Sequence, residues 1–343
     1  MKFQLSFTKL GVLLLVFLLS GCGDQETLVH IQGTTMGTTY SIKYVGKENQ
    51  SDKIKAEVED ALLEFDLEMS NWNPDSWVSL FNSAYRSGQF KTSENVKEIM
   101  TLALDLHKKS KGAFDVSISP LIEHWGFFKQ NRQTIPTPKS IEKIKSRTGS
   151  NFLSLNSVKN ELTKTRANIQ INCSAIAKGF GVDLIANVLE NSFKRKNFMV
   201  EIGGEVRCKG TPLNRPSWKL GIRQPNPKMS GLYGIVDLNN QGLATSGDYH
   251  NFFEVEGKRY SHIIDPTTGY PVTHELCSVS VISPSCALSD GLATACLVLG
   301  VEKGLELVGN FKDAHVLMLE RMEDGSLKQT KSQGFKFELK SAK

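Results

Sequence analysis

The chain has 343 residues, 40% of them hydrophobic and 22% charged, and a formal net charge of +5. That is enough chain for a sizeable core, in one large or two medium domains, with the balance of an ordinary globular protein. The charge is mild and no Lys/Arg cluster is interleaved with aromatics, which argues against nucleic acid as a partner.

The first residues read as a targeting segment. Lys2 and Lys9 flank the start of an apolar run over 10–19, a signal-peptide length rather than that of a spanning helix. Leu19-Ser20-Gly21-Cys22 follows, and small residues before a cysteine are similar to a bacterial lipoprotein cleavage site. Residues 1–21 are therefore expected to be a lipoprotein signal peptide. Its removal leaves Cys22 as a lipidated N-terminus that anchors the protein to a membrane without spanning it. An ordinary secretory signal with a coincidental cysteine is the alternative. Residues 22–28 then form a tether and 29–340 the folded domain. Cys173, Cys208, Cys277, Cys286 and Cys296 remain. An odd number with no C-x-x-C spacing points to neither a disulfide framework nor a zinc site.

Strands are predicted at 28–32 and 39–44, around the Gly/Thr-rich 33–38. Ser51 caps a helix with Ile54, Val58, Ala61, Leu62 and Phe65 on one face. A second amphipathic helix runs over 93–111 and stops at Gly112. Pro120 opens a helical stretch through Trp125. The polar segment 128–150, with Pro136 and Pro138, reads as an exposed excursion. A third helix covers 174–189, and strands follow at 198–202, 218–223 and 233–238. A hairpin over 251–255 and 259–264 turns at Glu256-Gly257-Lys258. It lies between two hard turns, Ser246-Gly247-Asp248 and Asp265-Pro266-Thr267-Thr268-Gly269. A strand at 278–283, a helix at 286–299 and a strand at 316–319 complete the chain. Helices and strands mix with no regular βαβ beat, so the expected class is α+β, with mixed or antiparallel sheets and packed helices. Neither a G-x-G-x-x-G nor a G-x-x-x-x-G-K-[ST] run exists, so neither a Rossmann nor a P-loop nucleotide site is indicated.

The richest chemistry lies in 244–272. Rigid turns on both sides of the hairpin place His262 and Asp265 within reach of Asp248; a well-punctuated hairpin with solvated tips is the plainer account. An imidazole titrates near neutrality and suits a general base. Asp290 and Thr294 stand at i and i+4 on one helix face, a pair of oxygens suited to a hard cation such as Mg²⁺. The same spacing also fits a solvated Asp beside a Thr bonded back to its own helix. Asn172-Cys173-Ser174-Ala175-Ile176-Ala177-Lys178-Gly179 opens a helix whose free N–H groups suit an anion. Lys178 disfavours its own helix there, which a facing phosphate or carboxylate would explain; a merely solvated lysine is the other account. Phe114 fits a core position as well as a binding wall.

S-G-D-Y at 246–249 and H-I-I-D-P-T-T-G at 262–269 are joined by six further blocks in order. These are GTTMGTTYS (33–41), MSNWNPDSWVSLFN (69–82), GAFDVSISPLIEHWGF (112–127), NCSAIAKGFGVD (172–183), VEIGGEVRCKG (200–210) and SDGLATACLVLG (289–300). Together they resemble the FAD:protein FMN transferases, the ApbE family, over nearly all of the mature chain. The resemblance implies a T-fold-like architecture and 29–340 as the catalytic domain. It implies transfer of FMN from FAD, as substrate, to a Thr or Ser hydroxyl of a target protein, with release of AMP. It places Mg²⁺ on Asp290, Thr294 and the backbone carbonyl of Ala175. FAD contacts are implied at Met36, Trp72, Ala113, Phe114, Asp115, Asn172, Lys178 and Ile264. His262 becomes the base on the acceptor hydroxyl, with Asp248 and Asp265 orienting it or the metal. Partners would be acceptor subunits of membrane redox complexes or exported flavoproteins, reached from a lipid anchor on the periplasmic side of a bacterial inner membrane. Two departures stand out. Ala293 occupies a position where some members carry a metal-binding carboxylate, and Asn172 one where the family often has Asp. A Mg²⁺-dependent FAD pyrophosphatase and a non-enzymatic flavin-binding lipoprotein are the rival readings.

Overall fold

The computed structural model describes residues 26–127, 135–226, 231–248 and 252–340. The signal peptide, Cys22, the start of the tether and residues 128–134 of the expected excursion lie outside them. Among the described residues no helix is long and apolar enough to cross a membrane.

In chain order, β1 (Thr27–Thr35) and β2 (Thr38–Gly46) lead to α1 (Ser51–Met69), α2 (Trp77–Ser83), β3 (Gly88–Lys91), α3 (Glu94–Lys109) and α4 (Ser119–His124). Then come α5 (Pro138–Lys145), β4 (Leu153–Asn156), β5 (Glu161–Lys164), α6 (Ser174–Asn187), β6 (Phe198–Ile202) and β7 (Glu205–Lys209). The next strands are β8 (Trp218–Arg223), β9 (Leu232–Leu238), β10 (Gln241–Gly247), β11 (Phe252–Val255), β12 (Lys258–Ser261) and β13 (Leu276–Ser283). The chain closes with α7 (Cys286–Leu299), α8 (Val301–Gly309), β14 (His315–Arg321), β15 (Leu327–Lys331) and β16 (Glu338–Leu339).

Eight strands form the main sheet in the order β1-β2-β6-β7-β10-β13-β14-β15, and every ladder in it is antiparallel. One face carries α3, α6 and α7, packed through Val279, Val281, Leu292 and Ile176. The other carries the small sheet β16-β9-β8, packed through Trp218, Ile222, Val236, Cys277 and Leu317. β13 sits between the two layers and is buried along its whole length. The expected α+β class with packed helices is what the chain adopts.

Local chemistry accounts for the elements read correctly. Ser93 accepts from the Val96 N–H at 3.2 Å and caps α3. Glu94 sits in its first turn and His107, Lys108 and Lys109 in its last, matching the helix dipole. Val96, Ile99, Met100, Ala103 and Leu106 repeat at helical spacing and are all buried.

The exposed excursion is a correction. Pro138 at the start of α5, with Thr137 capping Ser140, makes a helix there, and Ile141 and Ser150 are fully buried. The third helix also ends sooner than expected: its α-helical part stops at Asn187 and continues as a π-helical turn, Val188–Ser192.

Candidate active site

A cavity of about 770 Å³ opens at one end of the main sheet. Its wall is made by the β6–β7 turn, the end of β10, the start of α6, one face of α7 and the loop carrying His262. α6 and α7 cross at Gly179, where an added Cβ would lie 2.5 Å from the Cys286 carbonyl oxygen and 2.8 Å from the Asp290 Cβ. This closeness lets the Gly179 N–H donate to the Asp290 carboxylate at 3.0 Å. In a regular helix that N–H would serve the Ala175 carbonyl. Ala175 lines the same cavity.

Asp290 is only 4% exposed. Burial pushes its carboxyl up to about 8, and Glu205 adds to the push against the pull of Lys178 and the Gly179 N–H. The Lys178 Nζ lies 2.6 Å from the Glu205 Oε2. Burial lowers the Lys178 ammonium, but Asp290 and Glu205 outweigh it and hold it above its usual range. Glu205, 3% exposed, is itself raised by burial in spite of Lys178. Two buried acids thus surround one ammonium, and a further cation would relieve them. Thr294 completes the face, with its Oγ1 3.2 Å from the Ser246 Oγ.

The donor set fits a hard cation. One carboxylate, one hydroxyl and one backbone carbonyl suit Mg²⁺, which keeps waters and takes phosphate oxygens rather than demanding a cage of side chains. Among the described residues no three His, Cys, Asp or Glu side chains converge into such a cage.

A second cavity of about 740 Å³ lies between α1 and the β1–β2 turn. Met36 and Trp72 line it, Met36 at φ 48 in the tight turn with Gly37 and Trp72 67% exposed. Bulky side chains are rare at positive φ and concentrate at functional sites. Asn172, Ser174 and Lys178 line both cavities. The Asn172 carboxamide oxygen accepts from the Ser174 N–H at 2.9 Å and so shapes the entry to α6.

Ala113, Phe114 and Asp115 line the first cavity. Asp115 is buried and accepts from both the N–H and the hydroxyl of Ser117 and of Ser150, so its carboxylate fixes the loop rather than facing out alone.

His262 and Ile264 also line the first cavity, with Pro266. The loop is rigid. The Asp265 carboxylate accepts from the Thr267 N–H at 2.8 Å and its hydroxyl at 2.7 Å, and Trp125 donates to the Gly269 carbonyl at 2.8 Å. The His262 ring packs edge-on near Phe127, with centroids 6.4 Å apart. Asp248 is gripped by Arg321 at 3.2 Å and Arg259 at 3.4 Å, which fastens the hairpin to β14. Asp248 and Asp265 therefore hold the frame on either side of His262.

Sequence reasoning passed over Glu205, Ser246 and Asp183. Asp183 accepts from the Cys286 N–H at 3.0 Å and the Ala287 N–H at 2.9 Å, and pairs with Arg207 at 2.7 Å. The signal for Glu205 was present: an acid directly after Gly203-Gly204, whose φ values of 57 and 107 turn the chain sharply into the site.

The ApbE family model matches residues 36–318. The chain belongs to the ApbE family. Within that family it is 37% identical to a Vibrio cholerae protein named FAD:protein FMN transferase, over 94% of this chain and 96% of that one. A Haemophilus influenzae protein of the same name is 35% identical over 92% of each. Among solved structures, the flavin transferase ApbE from Vibrio cholerae superposes with a TM-score of 0.81 at 36% identity, over 90% of this chain and 98% of that one. The Pseudomonas stutzeri flavinyl transferase ApbE, in its apo form, gives a TM-score of 0.81 at 33% identity, over 90% and 96%. The eight ApbE-like blocks thus lie in a chain whose fold matches the family's solved structures over 90% of its length.

Proposed function

We propose that this ApbE-family chain is a Mg²⁺-dependent FAD:protein FMN transferase, passing FMN to a Thr or Ser hydroxyl and releasing AMP. What carries the reading is the pair of cavities joined at Asn172, Ser174 and Lys178. FAD is two flat ring systems joined by a pyrophosphate. Two cavities meeting at a lysine and at the N-terminal turn of α6 suit such a molecule, since both attract anions.

The residues take the following parts. Lys178, steadied by Glu205, presents its ammonium to the pyrophosphate. The Asp290 carboxylate, the Thr294 hydroxyl and the Ala175 carbonyl hold Mg²⁺, which supplies charge neutralisation on the phosphates when bound. His262 takes the proton of the acceptor hydroxyl as its oxygen forms a bond to the phosphorus of the FMN half. The bond from that phosphorus to the bridging oxygen breaks, and AMP leaves carrying the electron pair. Phosphoryl transfer of this kind depends on positioning and electrostatics more than on covalent help. Arg259 and Arg321 on Asp248, and Thr267 on Asp265, keep the His262 loop in place.

Anchoring through Cys22 would set this site on the periplasmic side of the inner membrane, within reach of flavin-bearing subunits of redox complexes and other exported flavoproteins. The test is incubation with FAD, Mg²⁺ and a bacterial membrane extract. Fluorescent protein bands in a denaturing gel, with AMP in equal amount, are expected. Free FMN plus AMP would make the chain a pyrophosphatase, and unchanged FAD would make it a binding protein.

A further inference from the structure

A protein acceptor must reach the first cavity, and β8 supplies the place. β8 pairs with β9 on one side, and among the described residues no strand covers its other edge. Leu220, Gly221, Ile222 and Arg223, four successive residues of this strand, line the cavity that also holds His262 and Asp290. Successive side chains of a strand point to opposite faces. A strand that presented a face to the cavity would contribute every second residue; Leu220, Gly221 and Ile222 follow one another before the register shift at Ile222–Arg223, so β8 presents its edge there.

Apart from the exposed Arg223, the side chains along β8 are engaged elsewhere, Leu220 packing partly buried against the core between the sheets. Gly221 has none, and the direction a Cβ would take is filled by Leu232 at 2.5 Å. Ile222 is buried in the core between the two sheets. Lys219 turns to Asp237 of β9 at 3.0 Å. Beside the Arg223 side chain, what β8 offers the cavity is therefore main-chain N–H and C=O groups that, among the described residues, no strand receives. Natural proteins usually cover or blunt such an edge because it templates the pairing of another chain.

We infer that the acceptor polypeptide docks as an extended segment added to the free edge of β8, with its hydroxyl residue in register to point into the cavity toward His262. The inference rests on the transferase reading above. Main-chain pairing grips a foreign backbone whatever its side chains, while the alternation of the added strand turns one chosen side chain inward. That combination suits an enzyme that must deliver a single hydroxyl from a protein it otherwise barely surrounds.

The probe is a pooled set of synthetic nonapeptides with one central threonine and random flanks, supplied with the full chain, FAD and Mg²⁺. Covalent FMN is read by mass spectrometry and AMP is measured alongside. One labelled peptide is then N-methylated at each amide in turn. Methylation at alternate amides should raise KM about tenfold or more, as expected for a lost hydrogen bond with added bulk, and leave kcat within about twofold. The intervening amides should be silent. As a second measurement, the same peptide with valine in place of threonine should slow hydrogen exchange at alternate amides of Lys219–Arg223. Equal effects at all amides, or protection confined to other strands, would overturn the edge-docking inference. So would labelling of whole proteins from a membrane extract when no peptide is labelled. Absence of AMP release with every acceptor would instead overturn the transferase reading itself.

Discussion

Replacing Gly179 with alanine tests whether the α6–α7 crossing sets the geometry of Asp290. In isolation the change favours the helix, by about 1 kcal/mol of propensity. The structure opposes it. The new Cβ would stand 2.5 Å from the Cys286 oxygen, where ordinary contact begins at 3.4 Å, so the two helices must part by nearly an ångström. Overpacking of this kind costs about 1–3 kcal/mol. Stretching the Gly179 N–H bond to a buried carboxylate adds roughly 1.5–3 kcal/mol. The net is a destabilisation of roughly 1.5–5 kcal/mol. At about 2–4 °C per kcal/mol for a somewhat smaller domain, melting should fall by several degrees. Turnover should fall further than stability predicts, by about 10²-fold at a temperature where the variant is folded, because an ångström of misplacement is felt directly in the chemistry. Thermal melts followed by fluorescence, with AMP release measured well below the midpoint, check both. A melting point equal to or above the parent's, with full turnover, would refute the claim that the crossing is tight.

Asp290→Asn should abolish turnover while leaving the melt near that of the parent. The Asp290 carboxyl sits at about 8 in the fold against 3.8 ordinarily, so above pH 4 the metal-free fold holds a proton the unfolded chain has lost; its stability should fall as pH rises from about 4 to 8, and Mg²⁺ should flatten that fall in melts taken across the range. His262→Gln should keep FAD affinity, measured by fluorescence titration, and lose about 10²–10⁴-fold in transfer; unchanged transfer would leave His262 a lining residue. Lys164→Met should lower the melting point by several degrees, because the carbonyls of Phe81, Ala84 and Ile169 would lose a shared buried donor at about 1–3 kcal/mol each, and chemical denaturation would report it. Mass spectrometry of the protein extracted from membranes should find Cys22 as a lipid-modified N-terminus, and an intact chain beginning at Met1 in the soluble fraction would exclude anchoring.

Local signals carried the long elements. α3 announces itself by a cap, a charge gradient and a helical apolar repeat, none of which needs another part of the chain. Asp290 and Thr294 were visible as a pair because one helix supplies both. Glu205 was only half visible: the glycine pair before it marks a sharp turn, but its partners Lys178 and Asp290 come from two different helices, and no local signal names the charges it meets. The excursion misread over 128–150 has the same origin. Ser150 is polar and flanked by polar residues, yet it is buried because Asp115, 35 residues earlier, accepts its hydroxyl at 2.5 Å. β10 was missed because QGLATSG, with two glycines and small residues, lacks any apolar alternation; its place comes from β7 and β13 on either side.

The two carboxylates at the α6–α7 crossing act as a reciprocal pair of dowels. An acid on α7 accepts from the α6 backbone at Gly179, and an acid on α6, Asp183, accepts from the α7 backbone at Cys286 and Ala287. The step from 179 to 183 along one helix matches the step from 290 to 286 along the other, so the helices run antiparallel at this point and are pinned one turn apart. Neither can slide or roll by a residue without breaking both pins. The spacing between Ala175 and Asp290 is therefore indexed before any ion or nucleotide arrives, and the inner pin doing half of that indexing lies outside the binding chamber, where no substrate touches it.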